Sequence, residues 1–186
     1  MQIYLLRHPP VAVKTGICYG QSDIELAADW ISVLSRAQKH LSTEFDSVFC
    51  SPLRRCMLPA QQFGSSYQID ERLLELNFGR WEGLPWDDIP DAEFRYWSED
   101  YVGRAPPDGE SYAALQQRVA SFLSDCQRAD PSTVLMVTHA GVIRAALATL
   151  LDIPLVSSLR LGLDFAGVSK ITLADDWIKA DYINRI

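Results

Sequence analysis

The sequence predicts an α/β fold, a three-layer α/β/α sandwich with a mostly parallel central sheet. Apolar, β-branched runs alternate with segments of helical periodicity along most of the chain, which is typical of successive βαβ units. Three of these runs stop at a charged or titratable residue, as buried parallel strands do when they deliver side chains to their carboxyl ends. The segment after residue 160 is rich in strand patterns, which predicts an antiparallel edge.

The first strand is predicted to end at Leu5-Leu6-Arg7-His8. Pro9-Pro10 excludes a helix and predicts an extended loop that runs through Gly16 to Gly20 and Asp23. An amphipathic helix is then predicted at about 28 to 42, followed by a strand over 45 to 50. The apolar residues that set the helical spacing are Trp30, Leu34, Ala37 and Leu41.

The second helix is predicted to open at Ser51-Pro52, with Ser51 as its N-cap and Pro52 at the first helical position. Arg54 and Arg55 then fall in the first turn. Free backbone amides, the positive end of the helix dipole and a guanidinium fork together suit an anion there. Pro59 is predicted to kink or shorten this helix.

The middle of the chain is predicted to be irregular. Residues 67 to 70 suggest a short strand, and residues 73 to 83 a structured loop, because their apolar residues lack a clean period. Residues 86 to 110, called the flap below, combine acids, aromatics and Pro106-Pro107, which predicts a wall of the substrate pocket rather than a core element. Their aromatic residues could stack on a ring-bearing leaving group or close a satellite core. These residues are Trp86, Phe94, Tyr96, Trp97 and Tyr101.

The second half repeats the alternation of helix and strand. A helix is predicted over about 111 to 128 from Leu115, Val119, Phe122 and Cys126, and an apolar strand over 133 to 138. His139-Ala140-Gly141 leads into a helix over 142 to 151. The tail predicts two or three strands at 160 to 165, 169 to 173 and 178 to 183.

Composition limits the classes of function. The 186 residues, 48% of them hydrophobic, fit a single domain over 1–186. With 17 basic and 24 acidic residues the net charge is −7, which argues against nucleic acid or an anionic membrane as the main partner. No apolar run reaches the length of a membrane span and the start is too short for a signal peptide, so a cytoplasmic location is expected. The sequence leaves open whether the chain forms a homodimer.

No metal and no cofactor are expected. The four cysteines have no CxxC spacing, so they predict neither a zinc site nor a redox dithiol and read as buried thiols. They are Cys18, Cys50, Cys56 and Cys126. Three more charged residues are interpreted as structural: His40 complements a helix end, and Arg144 and Arg160 are solvated or paired.

The strand ends predict a phosphate site. They bring Arg7, His8, Arg55 and His139 to one edge of the sheet, where either histidine could attack phosphorus as a neutral imidazole while the arginines neutralise the phosphoryl oxygens. Glu75 lies among leucines and Phe78, where desolvation favours the protonated form that a general acid needs. Glu82 competes for that role, with loop bracing as its alternative.

Five ordered motifs resemble those of the histidine phosphatase (phosphoglycerate mutase-like) superfamily, and its α-ribazole and broad-specificity phosphatase branch in particular. They cover most of the chain. The motifs are Leu6-Arg7-His8, Ser51-Pro52-Leu53-Arg54-Arg55, the segment from Leu74 to Gly83, Gly109-Glu110-Ser111 and Thr138-His139-Ala140-Gly141-Val142.

The resemblance implies a role for each matched residue. His8 matches the nucleophile that becomes phosphohistidine, and Glu75 matches the proton donor. The rest of the phosphate pocket is matched by Arg7, Arg55 and His139. Neither a metal nor an organic cofactor belongs to this mechanism.

The substrate-binding set predicted for this chain also includes Gly20 and Lys14. The chain departs from the family pattern where Pro9-Pro10-Val11 replaces Gly-Glu-Thr and Lys14 stands in place of an asparagine, so one phosphate contact of the family lacks its usual residue. Lys14 either substitutes as a point charge or is simply solvated.

The sequence therefore predicts a phosphomonoesterase acting on a small phosphorylated metabolite, with α-ribazole 5′-phosphate as the most specific candidate. A mutase is the second reading, although the mutases resembled here carry longer insertions. A catalytically inactive phospholigand-binding module is the third, supported only by Pro9-Pro10 and the absent asparagine.

Overall fold

The computed structural model describes residues 1–64 and 66–186. Their six strands are β1 (Gln2–Arg7), β2 (Ser47–Cys50), β3 (Gln68–Ile69), β4 (Thr133–Thr138), β5 (Val168–Leu173) and β6 (Ile178–Arg185). They form one sheet in the order β3-β2-β4-β1-β5-β6. The first four in this order are parallel, and β5 and β6 run antiparallel to their neighbours. The predicted sheet with an antiparallel edge is confirmed.

Helices cover both faces of the sheet. They are α1 (Trp30–Ala37), α2 (Arg54–Ala60), α3 (Asp91–Ser98), α4 (Tyr112–Ala129), α5 (Ala140–Leu150) and α6 (Leu155–Ser158). Alternate residues of β1 point to opposite faces. Ile3 and Leu5 pack in the core formed with α4 and α5, whereas Tyr4 and Leu6 pack in the core formed with α1 and α2. This confirms the three layers. None of the helices in the described ranges has the length and apolar content of a membrane span.

The register of the parallel strands brings three strand ends to one edge. Arg7, the last residue of β1, pairs with Thr138, the last of β4, and Cys50 at the end of β2 pairs with Val137. The residues that follow these strands therefore leave the sheet side by side.

Several elements differ from the prediction at their ends. The helix expected at 28 to 42 narrows after Ala37 into a 3-10 turn over Gln38–His40, and the strand expected from 45 begins at Ser47. The predicted start of α2 is wrong for both Ser51 and Pro52, because the helix begins at Arg54 with Leu53 in extended conformation at the N-cap. The Arg54 amide donates to the carboxylate of Asp23 at 2.9 Å. The Ser51 hydroxyl is instead engaged by His139, at 2.8 Å from its Nε2. Pro59 lies inside α2, which ends one residue later, as expected from its missing N–H.

The strand predicted at 160 to 165 is wrong. This segment forms turns after α6, although the alternate residues Leu161, Leu163 and Phe165 are more buried than Gly162 and Asp164. Its carbonyl groups accept hydrogen bonds from arginine side chains instead of from a neighbouring strand. The remaining tail strands, β5 and β6, are confirmed.

The flap contains more regular structure than expected, because α3 lies within it. Trp81 and Ile89 are buried together with Cys18, and Trp86 and Trp97 pack against this group as a satellite core. The Trp81 and Trp97 rings meet edge to face at 5.6 Å. Of the two alternatives that the sequence left open for these aromatic residues, the satellite core is therefore present in the structure.

Candidate active site

The structure brings Arg7, His8, Arg55 and His139 together at the predicted edge of the sheet. The two imidazole rings lie 5.2 Å apart, with His8 2% exposed and His139 and Arg55 fully buried. Each parallel strand delivers its group at its carboxyl end, except that Arg55 comes from the first turn of α2. The arrangement concentrates positive charge around two histidines.

The hydrogen bonds of His8 fix its tautomer. Its Nδ1 lies 2.7 Å from the carbonyl oxygen of Pro9, which can only accept, so Nδ1 carries the proton. Burial lowers the pKa of His8 well below its ordinary value, and the charges of Arg55 and Arg7 lower it further. No hydrogen bond from the described residues occupies Nε2. His8 is therefore a neutral imidazole with a free lone pair.

His139 has the opposite tautomer and both of its nitrogens are engaged. Arg55 donates from Nε to Nδ1 of His139 at 3.3 Å, so Nε2 carries the proton and donates to Ser51 at 2.8 Å. The Cys56 thiol lies 3.5 Å from the same Nε2. Burial lowers the pKa of His139 well below its ordinary value, and the positive charge of Arg55 and the nearby His8 ring lower it further. The geometry favours His8 over His139 as the nucleophile.

Arg55 is held from the loop that follows β1. Its Nη1 donates to the carbonyl of Ser22 at 2.6 Å and its Nη2 to that of Gly20 at 2.5 Å. Gly20 has no room for a Cβ, because the carbonyl oxygen of Leu76 and the Phe78 ring lie against its Cα. In this structure Gly20 contacts the site through its carbonyl on Arg55.

Arg7 presents an unused donor. Its Nη1 donates to the carbonyl of Leu163 at 2.5 Å, and its guanidinium lies 3.8 Å from the centre of the Phe165 ring. Its Nε is buried and has no partner among the described residues. Burial lowers the pKa of Arg7, and the neighbouring Tyr19 and Glu75 oppose that shift. Because buried N–H groups are rarely left unpaired, this one indicates a place for an acceptor such as a phosphoryl oxygen.

Glu75 and Glu82 have different surroundings. The Glu75 carboxylate accepts from the amides of Leu76 at 2.9 Å and Gly141 at 3.0 Å, so it sits at the first turn of α5 directly after His139. Glu82 instead accepts from the amides of Gln21 at 2.9 Å and Ser22 at 2.6 Å, and so joins two loops. Glu75 is thus the carboxylate beside the histidines and Glu82 is a brace.

A mostly apolar cavity of about 150 Å³ opens beside Glu75. Its other lining residues are Leu76, Phe78, Trp97, Tyr101, Tyr112, Ala140, Gly141, Arg144 and Leu159. Trp97 and Tyr101 bring the flap into this wall, so the flap contributes both to the satellite core and to the cavity. Arg144 is the cation of the lining, and its Nε donates to the carbonyl of Leu161 at 3.1 Å.

The structure also shows the surroundings of two cations outside the group of histidines. Arg144, interpreted as solvated or paired, lies in the cavity wall. It follows Ala140 and Gly141 by four and three residues, and this helical spacing is the signal that could have located it. Lys14 was included in the predicted substrate-binding set with a solvated side chain as its alternative. It is exposed, and no hydrogen bond or ion pair joins its ammonium to the site within the described residues.

Comparisons with known proteins show the family of the chain. The family model for the histidine phosphatase superfamily, branch 1, matches residues 3–185. The chain is 31% identical over 166 residues to an adenosylcobalamin/alpha-ribazole phosphatase of Escherichia coli (strain K12), covering 83% of this chain and 81% of the relative. It is 27% identical over 147 residues to phosphoserine phosphatase 1 of Hydrogenobacter thermophilus, covering 75% and 70%.

The solved structures extend the similarity to the whole fold. The crystal structure of the alpha-ribazole phosphatase from Shigella flexneri superposes with a TM-score of 0.89 at 28% identity, and the match covers 100% of this chain and 96% of that one.

Proposed function

Because the chain belongs to branch 1 of the histidine phosphatase superfamily, we propose that it hydrolyses small phosphate monoesters through a phosphohistidine on His8. One observation carries the proposal: the buried, neutral His8 has a free Nε2 and is close enough to Arg55 and Arg7 for their charges to lower its pKa. Its ring lies 5.2 Å from that of His139, and the Glu75 carboxylate binds the amide of Gly141, two residues after His139. This set provides a nucleophile, charge neutralisation and an acid within one pocket.

In the first step, Nε2 of His8 attacks phosphorus and the bond from phosphorus to the ester oxygen breaks. Arg7 and Arg55 neutralise the charge on the non-bridging oxygens, with the unpaired Nε of Arg7 as one donor. Glu75, in its protonated form, gives its proton to the leaving oxygen, so the alcohol departs neutral. The new cationic imidazole stays hydrogen bonded to the Pro9 carbonyl through Nδ1.

In the second step, water attacks the phosphorus of phosphohistidine and the bond from phosphorus to Nε2 breaks. The Glu75 carboxylate takes a proton from that water and returns to its acid form. Inorganic phosphate leaves and His8 is neutral again. Each proton is accounted for by groups of this chain and by water, so the reaction needs neither a metal nor a cofactor.

The cavity beside Glu75 is proposed to hold the leaving alcohol. Its aromatic walls suit a flat ring, and Arg144 offers a donor for an acceptor group on that alcohol. α-Ribazole 5′-phosphate has both features, and two of the similar proteins are named for this substrate. The residues of the flap serve in this proposal as the outer wall of the substrate pocket. The partner is accordingly a small phosphorylated metabolite.

The test is hydrolysis of p-nitrophenyl phosphate with EDTA and no added metal, using the wild-type protein and His8→Ala. We expect turnover by the wild type, none by the variant, and an acid-labile phosphohistidine in rapid-quench samples of the wild type. Equal rates for both proteins, or turnover without a phosphoenzyme, would contradict the proposal, and the absence of both turnover and phosphoenzyme would leave a binding module.

The substrate is tested separately by comparing kcat/KM for α-ribazole 5′-phosphate, phosphoserine and 3-phosphoglycerate. We expect the highest value for α-ribazole 5′-phosphate, and a higher value for either of the others would contradict that choice. Conversion of 3-phosphoglycerate to 2-phosphoglycerate, rather than release of phosphate, would indicate a mutase.

A further inference from the structure

The Gly109-Glu110-Ser111 motif forms part of a brace around the loop that carries Glu75. Ser111 caps α4, with its Oγ accepting from the amide of Ala114 at 3.2 Å. Two helical turns later, Arg118 reaches back to Glu110, with 2.5 Å between Nη2 and Oε1 and 3.1 Å between Nε and Oε2. The two side chains are 20% and 19% exposed, so this bidentate pair is largely shielded from water.

The guanidinium of Arg118 gathers three carbonyl groups of the Glu75 loop. Its Nη1 donates to the carbonyls of Arg72 and Leu74, at 2.7 Å each, and its Nη2 to that of Glu75 at 3.0 Å. Gln21 donates to the same Glu75 carbonyl at 2.9 Å. The main chain entering Glu75 is therefore fixed by one planar cation.

Glu110 fixes the main chain on the other side of Glu75. Its Oε1 accepts from the amide of Asn77 at 3.1 Å, and its own amide donates to the carbonyl of Asn77 at 2.9 Å. Gly109 leaves no room for a Cβ against the Asn77 carbonyl and the Phe78 main chain. The loop is thus held two residues after Glu75 as well as at and before it.

We propose that Arg118 and Glu110 are positioning residues for the acid step, and this inference rests on the proposed role of Glu75. Their side chains end on backbone groups and on each other, not on the histidines. By clamping the loop on both sides of Glu75, they keep its carboxyl within reach of the Leu76 and Gly141 amides and of the leaving oxygen.

The test compares two ring-matched substrates that differ in their need for a proton. p-Nitrophenolate leaves without protonation, whereas p-nitrobenzyl alcohol requires the acid. The value of kcat/KM reports on the steps through departure of the leaving group, so the later hydrolysis of phosphohistidine does not obscure the comparison. Glu75→Gln serves as the reference, and we expect it to lose about 10²-fold or more on the benzyl ester and under about tenfold on the phenyl ester.

We expect Arg118→Met and Glu110→Gln to repeat this selectivity in weaker form, with benzyl ester losses of about 10- to 100-fold and phenyl ester losses of under about threefold. Arg118→Lys should recover part of the loss because it keeps the positive charge. Recovery should be incomplete because one ammonium cannot bond at once to the Glu110 carboxylate and to the three carbonyl groups. Arg72→Gln is the matched control. It removes the ion pairs of the Arg72 side chain with Asp70 and Asp125 but keeps the main-chain carbonyl that Arg118 binds, so it should show no selectivity between the two esters.

The outcomes separate the inference from the function on which it rests. A selective Glu75→Gln with unselective brace variants overturns the positioning role alone. An unselective Glu75→Gln overturns the acid role and the inference together. If Arg118→Met does not fold, Glu110→Gln and Arg118→Lys decide, because they keep side chains of similar size and hydrogen-bonding capacity.

Discussion

The most direct test of the position of the Glu75 carboxyl is the substitution Gly141→Ala. Gly141 is the second residue of α5 and has helical backbone that alanine adopts readily. A Cβ there would overlap Oε1 of Glu75 and lie 3.1 Å from its Cδ. The carboxyl therefore has to withdraw from the amide at the helix start, while the histidines and arginines keep their places.

The expected changes in stability are small and opposite in sign. Replacing glycine by alanine in a helix stabilises by up to about 1 kcal/mol. Losing the hydrogen bond from Gly141 to the carboxylate costs about 1 kcal/mol. The free energy of unfolding should stay nearly unchanged. Restoring ordinary contact distances moves the carboxyl by roughly 1 Å, and a displacement of this size costs about 10²-fold in rate.

The assay is kcat/KM for p-nitrobenzyl and p-nitrophenyl phosphate, together with thermal unfolding. We expect a loss of about 10²-fold on the benzyl ester, under about tenfold on the phenyl ester, and an unchanged Tm. Gly162→Ala is the control, because its Cβ would meet no atom within 4 Å. Wild-type rates on the benzyl ester would refute the geometric reasoning, and equal losses on both esters would point to damage in the phosphate pocket.

Three further predictions concern charge. Arg55→Met should lower kcat/KM for p-nitrophenyl phosphate by about 10²-fold or more, because it removes a buried cation from the pocket, and a loss under tenfold would contradict this. The pKa of both His8 and His139 is lowered by folding, so only the unfolded chain gains protons just below the ordinary value of 6.5. The free energy of unfolding should therefore decrease as the pH is lowered below 6.5, by up to about 1.4 kcal/mol per pH unit for each histidine. His139→Gln should reduce this dependence of the unfolding free energy on pH, measured by urea titration at several pH values. Arg144→Met should raise KM about tenfold for α-ribazole 5′-phosphate and leave that of methyl phosphate unchanged, since only the larger alcohol reaches the cavity; equal changes would contradict the assignment.

The parallel part of the fold could be predicted because its signal is local. When a buried strand ends at a charged residue, the pattern predicts both where the strand stops and at which edge of the sheet that residue lies. Arg7, His8 and His139 follow this rule, so their proximity was accessible from the chain alone. Glu75 was marked by its apolar neighbours, but the choice of Glu75 over Glu82 depended on the family motif, because no periodicity marks the loop that holds them.

The errors arise where tertiary contacts outweigh local preference. Ser51 is a residue type that favours the N-cap, but its hydroxyl is bound to His139, and the Asp23 carboxylate accepts from the first amide of α2 at 2.9 Å instead. The alternation at 160 to 165 imitates a strand, but the carbonyls of Leu161 and Leu163 bind Arg144 and Arg7. No pattern in a single sequence announces such acceptors, since they depend on residues more than 15 positions away.

Pro9-Pro10 is the departure from the family pattern that lies next to His8, the proposed nucleophile. Two consecutive prolines remove two backbone N–H groups beside the phosphate pocket, so fewer neutral donors are available to the phosphoryl oxygens. The contact that orients His8, however, needs only the Pro9 carbonyl, which proline retains. The next carbonyl, that of Pro10, accepts from Ala27 at 2.9 Å and ties the loop down. The prolines therefore preserve the tautomer and orientation of His8, and what they remove is backbone donors for the proposed phosphate site.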